Sequence, residues 1–334
     1  MAGKKERSIW VFGDYRDYFE NRVTLQLLSR ANELAGKIKA TVAAVVFGNN
    51  VDEWVGEYIA HGARKVYVIE DPALQDYSME TYSILMERLA RKHEPEIILV
   101  GATTFGREFA PKVAKKLGTG LTADCVGLDI NKEGLLVQMA PSFGGNLLAE
   151  IVTPVHRPQM STVRPGTFQE IPHDNQAAGD VIRVPLPRDL PKDRLRVISA
   201  KRWEQTGQRL EDAKVVVCGG RGMGSRAKYK KLFELAELLG GEVGATRPVV
   251  YSKWVDEEAL VGQAGKQVAP EVLFSFGVSG AIQHTAALSE ADFIIAVNKN
   301  ANAAMMKMAD VAIVADAGQL CTALIRELKD RIRH

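Results

Sequence analysis

Short, wholly apolar runs alternate with helical periods along the first 120 residues of this chain. Ser8–Phe12, Ala40–Phe47, Lys65–Ile69 and Ile97–Val100 read as strands, several ending at glycine. Between them, Leu25–Ile38 repeats apolar residues at helical spacing, and Val51–Ile59, Tyr77–Lys92 and Phe105–Leu117 read as further helices. Strands without polar alternation are buried on both faces. With intervening helices, that pattern demands a parallel sheet covered on each side, with right-handed crossovers.

The pattern changes after Leu121. Cys125–Ile130, Leu135–Ala140, Leu147–Ile151 and Gln159–Thr162 are short strands broken by Gly, Pro and Asn, expected as an antiparallel extension of the first sheet. Residues 166–200 are rich in Pro, Asp, Arg and Asn, which makes a long helix there unfavourable and marks the passage between domains. A second α/β unit begins at Lys214. It has strands at Val215–Cys218, Val272–Phe276, Phe293–Val297 and Val311–Val314, and helices at about 225–239, 280–288, 302–308 and 318–331. The expected fold is α/β, with two doubly wound Rossmann-like parallel-sheet domains. The expected boundaries are 1–190, a linker at 191–212, and 213–334. The 334 residues suit two domains at about 150 residues each.

Composition narrows the function. Lys and Arg total 43 against 41 Asp and Glu, a balance that argues against a dedicated nucleic-acid binder. Cys125, Cys218 and Cys321 are isolated, and no Cys/His spacing suits a metal or an iron–sulfur centre. No apolar run is long enough to span a membrane, and Ser8–Phe12 is too short for a secretory core. The expectation is a cytoplasmic protein in a reducing compartment, with no metal and no direct membrane span.

Four clusters carry the chemistry. The first is Gly219-Gly220-Arg221-Gly222-Met223-Gly224, between a strand and a helix. Glycines at a strand end let backbone approach a phosphate, and a helix N-terminus supplies free N–H groups. The dinucleotide fingerprint is incomplete, because Ser225 stands where a third glycine belongs. The next strand runs Val243-Gly244-Ala245-Thr246-Arg247, with no acid for a ribose hydroxyl. Arg247 suits an anion or an electron-rich ring. A tight turn with a solvated arginine accounts for the same residues. The second cluster is Val261-Gly262-Gln263-Ala264-Gly265-Lys266, and the third is Gly277-Val278-Ser279-Gly280-Ala281-Ile282-Gln283-His284, opening a helix. Ser279 and Gly280 sit where N–H groups hold a phosphate, and His284 lies a turn further on. The fourth is Val297-Asn298-Lys299-Asn300. The carboxyl ends of parallel strands are where such sheets bind ligands, so a nucleotide-type cofactor is expected within 210–320. No P-loop, nucleophile elbow, zinc-protease motif or paired carboxylates occur, so no catalytic residue is assigned and the cofactor is expected to carry the chemistry.

These clusters, in this order and spacing, resemble the alpha subunit of electron-transfer flavoproteins, the FixB family. Thr162-Val163-Arg164-Pro165-Gly166 adds to the likeness, which spans essentially the whole chain and is strongest over 214–316. The resemblance implies FAD as cofactor and a heterodimer with a beta subunit. The N-terminal domain would pack on beta, and the C-terminal domain would bind FAD and swivel between partners. Implied FAD contacts are Arg221, Thr246, Arg247, Val261, Gly262, Gln263, Ala264, Ser279, Gly280, Ala281, Ile282, Gln283, His284, Asn298, Asp316 and Ala317. Arg247 would lie near the isoalloxazine, His284 at its pyrimidine edge, and Asn298 and Asp316 on the AMP half. Ala264 departs from the family, which has a hydroxyl there facing the flavin N5/O4 edge. The implied role is to shuttle electrons between dehydrogenases and a membrane or quinone-linked oxidoreductase, or ferredoxin-type partners; electron bifurcation depends on the beta subunit. The alternatives are a self-sufficient NAD/FAD-dependent oxidoreductase or a sirtuin-like deacylase, and a non-redox nucleotide sensor.

Overall fold

The computed structural model describes residues 6–15, 18–142, 147–191, 195, 197–198, 210–288 and 291–332. The chain forms two compact units, 1–200 and 201–334. In the first unit, β1 (Ser8–Phe12), α1 (Tyr18–Ile38), β2 (Thr41–Gly48), α2 (Asp52–Ala60), β3 (Lys65–Glu70), α3 (Met79–His93), β4 (Ile97–Gly101) and α4 (Thr104–Leu117) alternate as the periodicity predicts. They continue into β5 (Leu121–Cys125), β6 (Gly127–Ile130), β7 (Leu136–Ser142), β8 (Leu147–Ile151), β9 (Gln159–Val163) and β10 (Asp180–Arg183).

The main sheet runs β10-β3-β2-β1-β4-β9-β5, and every pairing is parallel. Both faces are buried. On β1, Ile9 and Val11 enter one core while Trp10 and Phe12 enter the other, as a two-residue period requires. The second core is aromatic: Phe12 lies 4.4 Å from Phe109, which in turn stacks on Phe105 at 5.1 Å.

The antiparallel extension exists as a three-stranded sheet of its own, β6-β7-β8. One strand expected within it, Gln159–Thr162, joins the parallel sheet instead. β9 lies between β4 and β5 and all five of its residues are buried, so it is an interior strand. The Pro-rich stretch after 166 also contributes structure. β10 adds an edge strand to β3, Val184, Leu186 and Leu190 pack on the aromatic core, and Arg88 makes a two-pronged bond to Asp189 at 2.6 and 3.0 Å. Much of the expected linker, 191–212, lies outside the described residues.

The second unit contains β11 (Val215–Gly219), α5 (Arg226–Leu239), β12 (Glu242–Ala245), α6 (Arg247–Tyr251), β13 (Val272–Phe276), α7 (Ile282–Thr285), β14 (Ile294–Asn298), α8 (Ala304–Met308), β15 (Val311–Val314) and α9 (Ala317–Ile332). Its sheet runs β12-β11-β13-β14-β15, all parallel. Strand order reverses between β11 and β13, which opens a crevice at their carboxyl ends. α5 begins where the Ser225 hydroxyl accepts the Lys228 N–H at 3.2 Å and ends at Gly240 in the left-handed region. β12 stops at Ala245, so Arg247 opens a helix and does not close a strand.

Phe109 has no exposed surface and packs against two aromatic rings, Phe12 and Phe105, so it tests the aromatic core of the first unit. Phe109→Ala is expected to cost about 3–5 kcal/mol of stability, and Phe109→Leu distinctly less. Urea unfolding of the full chain measures this, and equal losses in the two variants would contradict the packing role.

Candidate functional site

The loops that follow the five strands of the second sheet form one carboxyl edge, and backbone contacts knit its centre. Gly220 N–H donates to Phe276 O at 2.9 Å, and Gly222 N–H to Gly277 O at 3.0 Å. A Cβ on Gly222 would lie 2.6 Å from Gly277 O, and one on Gly277 would lie 2.6 Å from Gly222 C. Gly277 also has φ of +64°. The glycines of this run therefore let two loops touch backbone to backbone. Arg221, at the tip of the first loop, is exposed.

On the β12 side, Thr246 N–H donates to Gly219 O at 3.1 Å. Thr246 stands at the N-cap of α6, but its buried hydroxyl makes no cap bond. Arg247 is exposed, and neither it nor Arg221 forms an ion pair among the described residues. Val261 N–H donates to Ala245 O at 2.9 Å, which hangs the next loop on the same edge. That loop doubles back, with Gly262 N–H to Lys266 O at 3.1 Å and Lys266 N–H to Leu260 O at 2.7 Å. Gln263 and Ala264 are exposed at its turn, and Gln263 N–H reaches Gln283 O at 2.8 Å.

After β13, Ser279, Ala281, Ile282 and Gln283 are exposed, while Gly280 is buried. Ala281 occupies the N-cap of α7. An alanine side chain cannot accept a hydrogen bond, so it leaves first-turn N–H groups uncapped. His284 is 6% exposed, a core position and not a surface one. Its Nδ1 lies 2.9 Å from Val261 O, and its Nε2 lies 3.8 Å from Cys218 Sγ. Burial lowers its pKa from the ordinary value, with the Val261 bond opposing part of that shift.

Asn298 and Asp316 lie toward the β14–β15 side and are already engaged. Asn298 Nδ2 donates to Val278 O at 2.8 Å, and its Oδ1 accepts Asn300 N–H at 3.0 Å. Asn298 thus staples the β13 loop to the β14 loop. Asp316 pairs with Lys299 at 2.7 Å and caps α9 by accepting Gln319 N–H at 2.9 Å. Those bonds, the Lys299 one foremost, hold its carboxyl down at about 2. Ala317 is buried at the start of α9. Sequence reading missed Cys218, which it counted only as an isolated cysteine, and Lys299 as the partner of Asp316. The signal for Cys218 was its place one residue before the glycine that ends β11.

The arrangement fits a nucleotide-type group with an electron-rich ring. Among the described residues it offers two guanidiniums without an ion pair, uncapped N–H groups, the Thr246 hydroxyl and an exposed turn at 263–264. Among the described residues, no group of His, Cys, Asp and Glu is arranged to hold a metal ion.

Two outcomes follow from this geometry. Gly277→Ala is expected to cost about 1–3 kcal/mol, because backbone cannot yield as a side chain does, and to weaken binding of the nucleotide-type cofactor. Retained stability and retained cofactor affinity would contradict the loop contact. The second outcome concerns pH. His284 is held neutral below its ordinary pKa of 6.5, so the unfolded chain binds the proton first as pH falls. Stability should therefore decline below that value, by up to about 1.4 kcal/mol per pH unit, and remain level above it. Urea unfolding between pH 7.5 and 5.5 should show a shallower decline in His284→Gln. An identical slope would contradict a neutral buried ring.

Comparison with known proteins agrees with this geometry. The profile of the electron transfer flavoprotein domain matches residues 9–189, and that of the electron transfer flavoprotein FAD-binding domain matches 209–289. The chain is 42% identical over 323 residues to the electron transfer flavoprotein subunit alpha of Thermoanaerobacterium thermosaccharolyticum, covering 97% of this chain and 98% of that protein. It is 39% identical to the protein FixB of Bradyrhizobium diazoefficiens, covering 98% of this chain and 90% of that one. It is 34% identical to the lactate dehydrogenase (NAD(+),ferredoxin) subunit LctC of Acetobacterium woodii, covering 96% of this chain and 76% of that one. The chain belongs to the alpha-subunit family of electron transfer flavoproteins, and FAD is its cofactor.

Proposed function

We propose that this chain, paired with a beta subunit, relays electrons between a dehydrogenase and a quinone-linked or ferredoxin-type acceptor, with FAD held on the carboxyl edge of the second sheet. FAD supplies the redox chemistry when bound. The observation that carries this reading is the character of that edge. Among the described residues it presents two guanidiniums without an ion pair and uncapped N–H groups, while Asp316 is already paired with Lys299 and Glu211 with Lys266.

Each group has a task under this reading. Arg247 and the first turn of α7 place positive charge where an electron-rich ring gains negative charge on reduction. Thr246 offers a hydroxyl, and Gly262, Gln263 and Ala264 offer backbone and a small surface to pack on. Ser279 and Gly280 receive the phosphate or ribitol part. Asn298 fixes the β13 loop for that purpose, and Asp316 and Ala317 bound the adenosine side. Arg221 sits at the tip of the glycine loop, exposed to an anion. The likeness to LctC, whose name couples NAD(+) with ferredoxin, supports a place in an assembly with more than one redox partner. Counting flavins in the purified heterodimer tests that part.

The relay itself is tested at Arg247. With FAD still bound, Arg247→Ala should lower the flavin midpoint potential. A tenfold loss of preference for the reduced form corresponds to about 59 mV for one electron. Reductive titration of both proteins checks the sign, and an unchanged or raised potential would reject the role of Arg247.

A further inference from the structure

α5 carries its positive charge at the end where a helix least favours it. Arg226, Lys228, Lys230 and Lys231 fill its opening turns, and no acid stands in the first turn. The N-terminus is already the positive end of the helix dipole, and Arg226 and Lys230 repel each other at i,i+4. Lys253 adds a further charge from a left-handed turn, with φ of +53°, a conformation that glycine favours. Arg226, Lys230 and Lys253 are exposed and form no ion pair among the described residues. The whole chain balances 43 basic against 41 acidic residues, so this concentration is local.

The same three cations line an open groove of about 830 Å³ between α5, α6 and the turn that follows α6. Its apolar part comes from Phe233, Val250 and Trp254. Phe233 is 47% exposed, although it is a large aromatic side chain. Phe233 and Trp254 each lie 6.3 Å from the ring of Tyr229, which has no exposed surface and anchors both. A fixed aromatic platform beside arginine and lysine has the make-up of a protein docking centre. Asp256 and Glu257 line the groove as well. They oppose a polyphosphate chain or an anionic bilayer, whereas a protein surface can meet charges of both signs.

We propose that this groove docks a partner protein whose redox centre lies beneath a carboxylate-rich rim. Carboxylates of the rim would meet Arg226, Lys230 and Lys253, and an apolar side chain would rest on Phe233 and Trp254. The place suits electron exchange. α6 carries Arg247 at its start and Val250 in the groove, one helical turn apart. A partner seated there lies close to the arginine assigned to the flavin ring. The unfavourable placing of the cations on α5 then has a use, because unpaired charge on a rim steers a partner of opposite sign.

This inference rests on the electron relay proposed above, and two readouts keep the two apart. The probe is an acidic plant-type two-iron ferredoxin, offered to the FAD-loaded heterodimer. Fluorescence anisotropy of the labelled, oxidised probe reads docking. Stopped-flow absorbance of the flavin reads reduction by the reduced probe: one electron leaves the cluster and enters the flavin, and no bond forms. Between about 10 mM and about 1 M salt, affinity and second-order rate constant should each fall at least about tenfold. The double variant Arg226→Glu, Lys230→Glu should lose at least about tenfold in both at the lower salt and match the unaltered protein at the higher. Its flavin potential should not move, and its stability in urea should hold or rise, since an acid suits the first turn of α5. Phe233→Ala should weaken docking at both salt concentrations. Docking that ignores salt, or a double variant that docks as well as the unaltered protein, overturns the proposal. So does a double variant that loses the beta subunit, which would assign the groove to that subunit. Binding of phosphatidylserine vesicles or duplex DNA in place of the ferredoxin also overturns it. Salt-sensitive docking that the double variant loses, with no flavin reduction in either protein, would overturn the relay and leave the docking groove standing.

Discussion

Two loops at the crevice of the second sheet meet with no side chain between them, through Gly222 N–H to Gly277 O at 3.0 Å and Gly220 N–H to Phe276 O at 2.9 Å. The rest of the site depends on that contact. It brings the end of β11 against the end of β13, so Cys218 and His284 can meet beneath. It also leaves Arg221, Ser279 and the exposed Ala281 to Gln283 on one rim. Thr246 joins from the other side by donating to Gly219 O, and the 261–266 loop follows through Val261 and Ala245. Each loop is held by main-chain bonds, so the exposed side chains remain free to meet a ligand. Such preorganisation is what a redox site needs when charge changes on the cofactor and the protein must not rearrange.

The two units share a doubly wound plan but treat the crevice differently. In the first sheet, strand order reverses between β1 and β4. The ends of those strands are filled from within. Tyr58 packs against Gly13, and Tyr15 packs against Gly48. Asp14 is buried, its N–H donating to Thr24 Oγ1 at 3.2 Å and its carboxyl accepting from Thr103 at 3.4 Å. A carboxyl and two tyrosines at one crevice, against two guanidiniums and uncapped N–H groups at the other, separate the units electrostatically.

Local patterning carried most of the fold into view. Val215–Cys218 followed by glycines and an amphipathic run to Leu239 requires a strand, a turn and a helix, whatever lies elsewhere. Partner choice was not local. Gln159–Thr162 reads as a strand in any sheet, and its parallel place between β4 and β5 depends on β5 returning after α4. Thr246-Arg247-Pro248 carries a helix-start signal, since proline suits the first turn, and there the helix replaces the expected end of the strand. Within the site, the motifs marked the correct loops but not the internal partners. The Lys299–Asp316 pair, the Asn298 staple and the Cys218–His284 contact each join residues from separate loops or strands. Only the folded sheet brings them within reach.

The central claim is that the carboxyl edge of the second sheet holds the FAD. Amide hydrogen exchange of the full chain with and without FAD tests it most directly. The account predicts new protection in the loops at 219–224, 246–247, 261–266 and 277–284, with weaker protection at 298–300 and 316–317. Protection appearing instead at the ends of β1 and β4 in the first sheet, with the second sheet's loops unchanged, would contradict it.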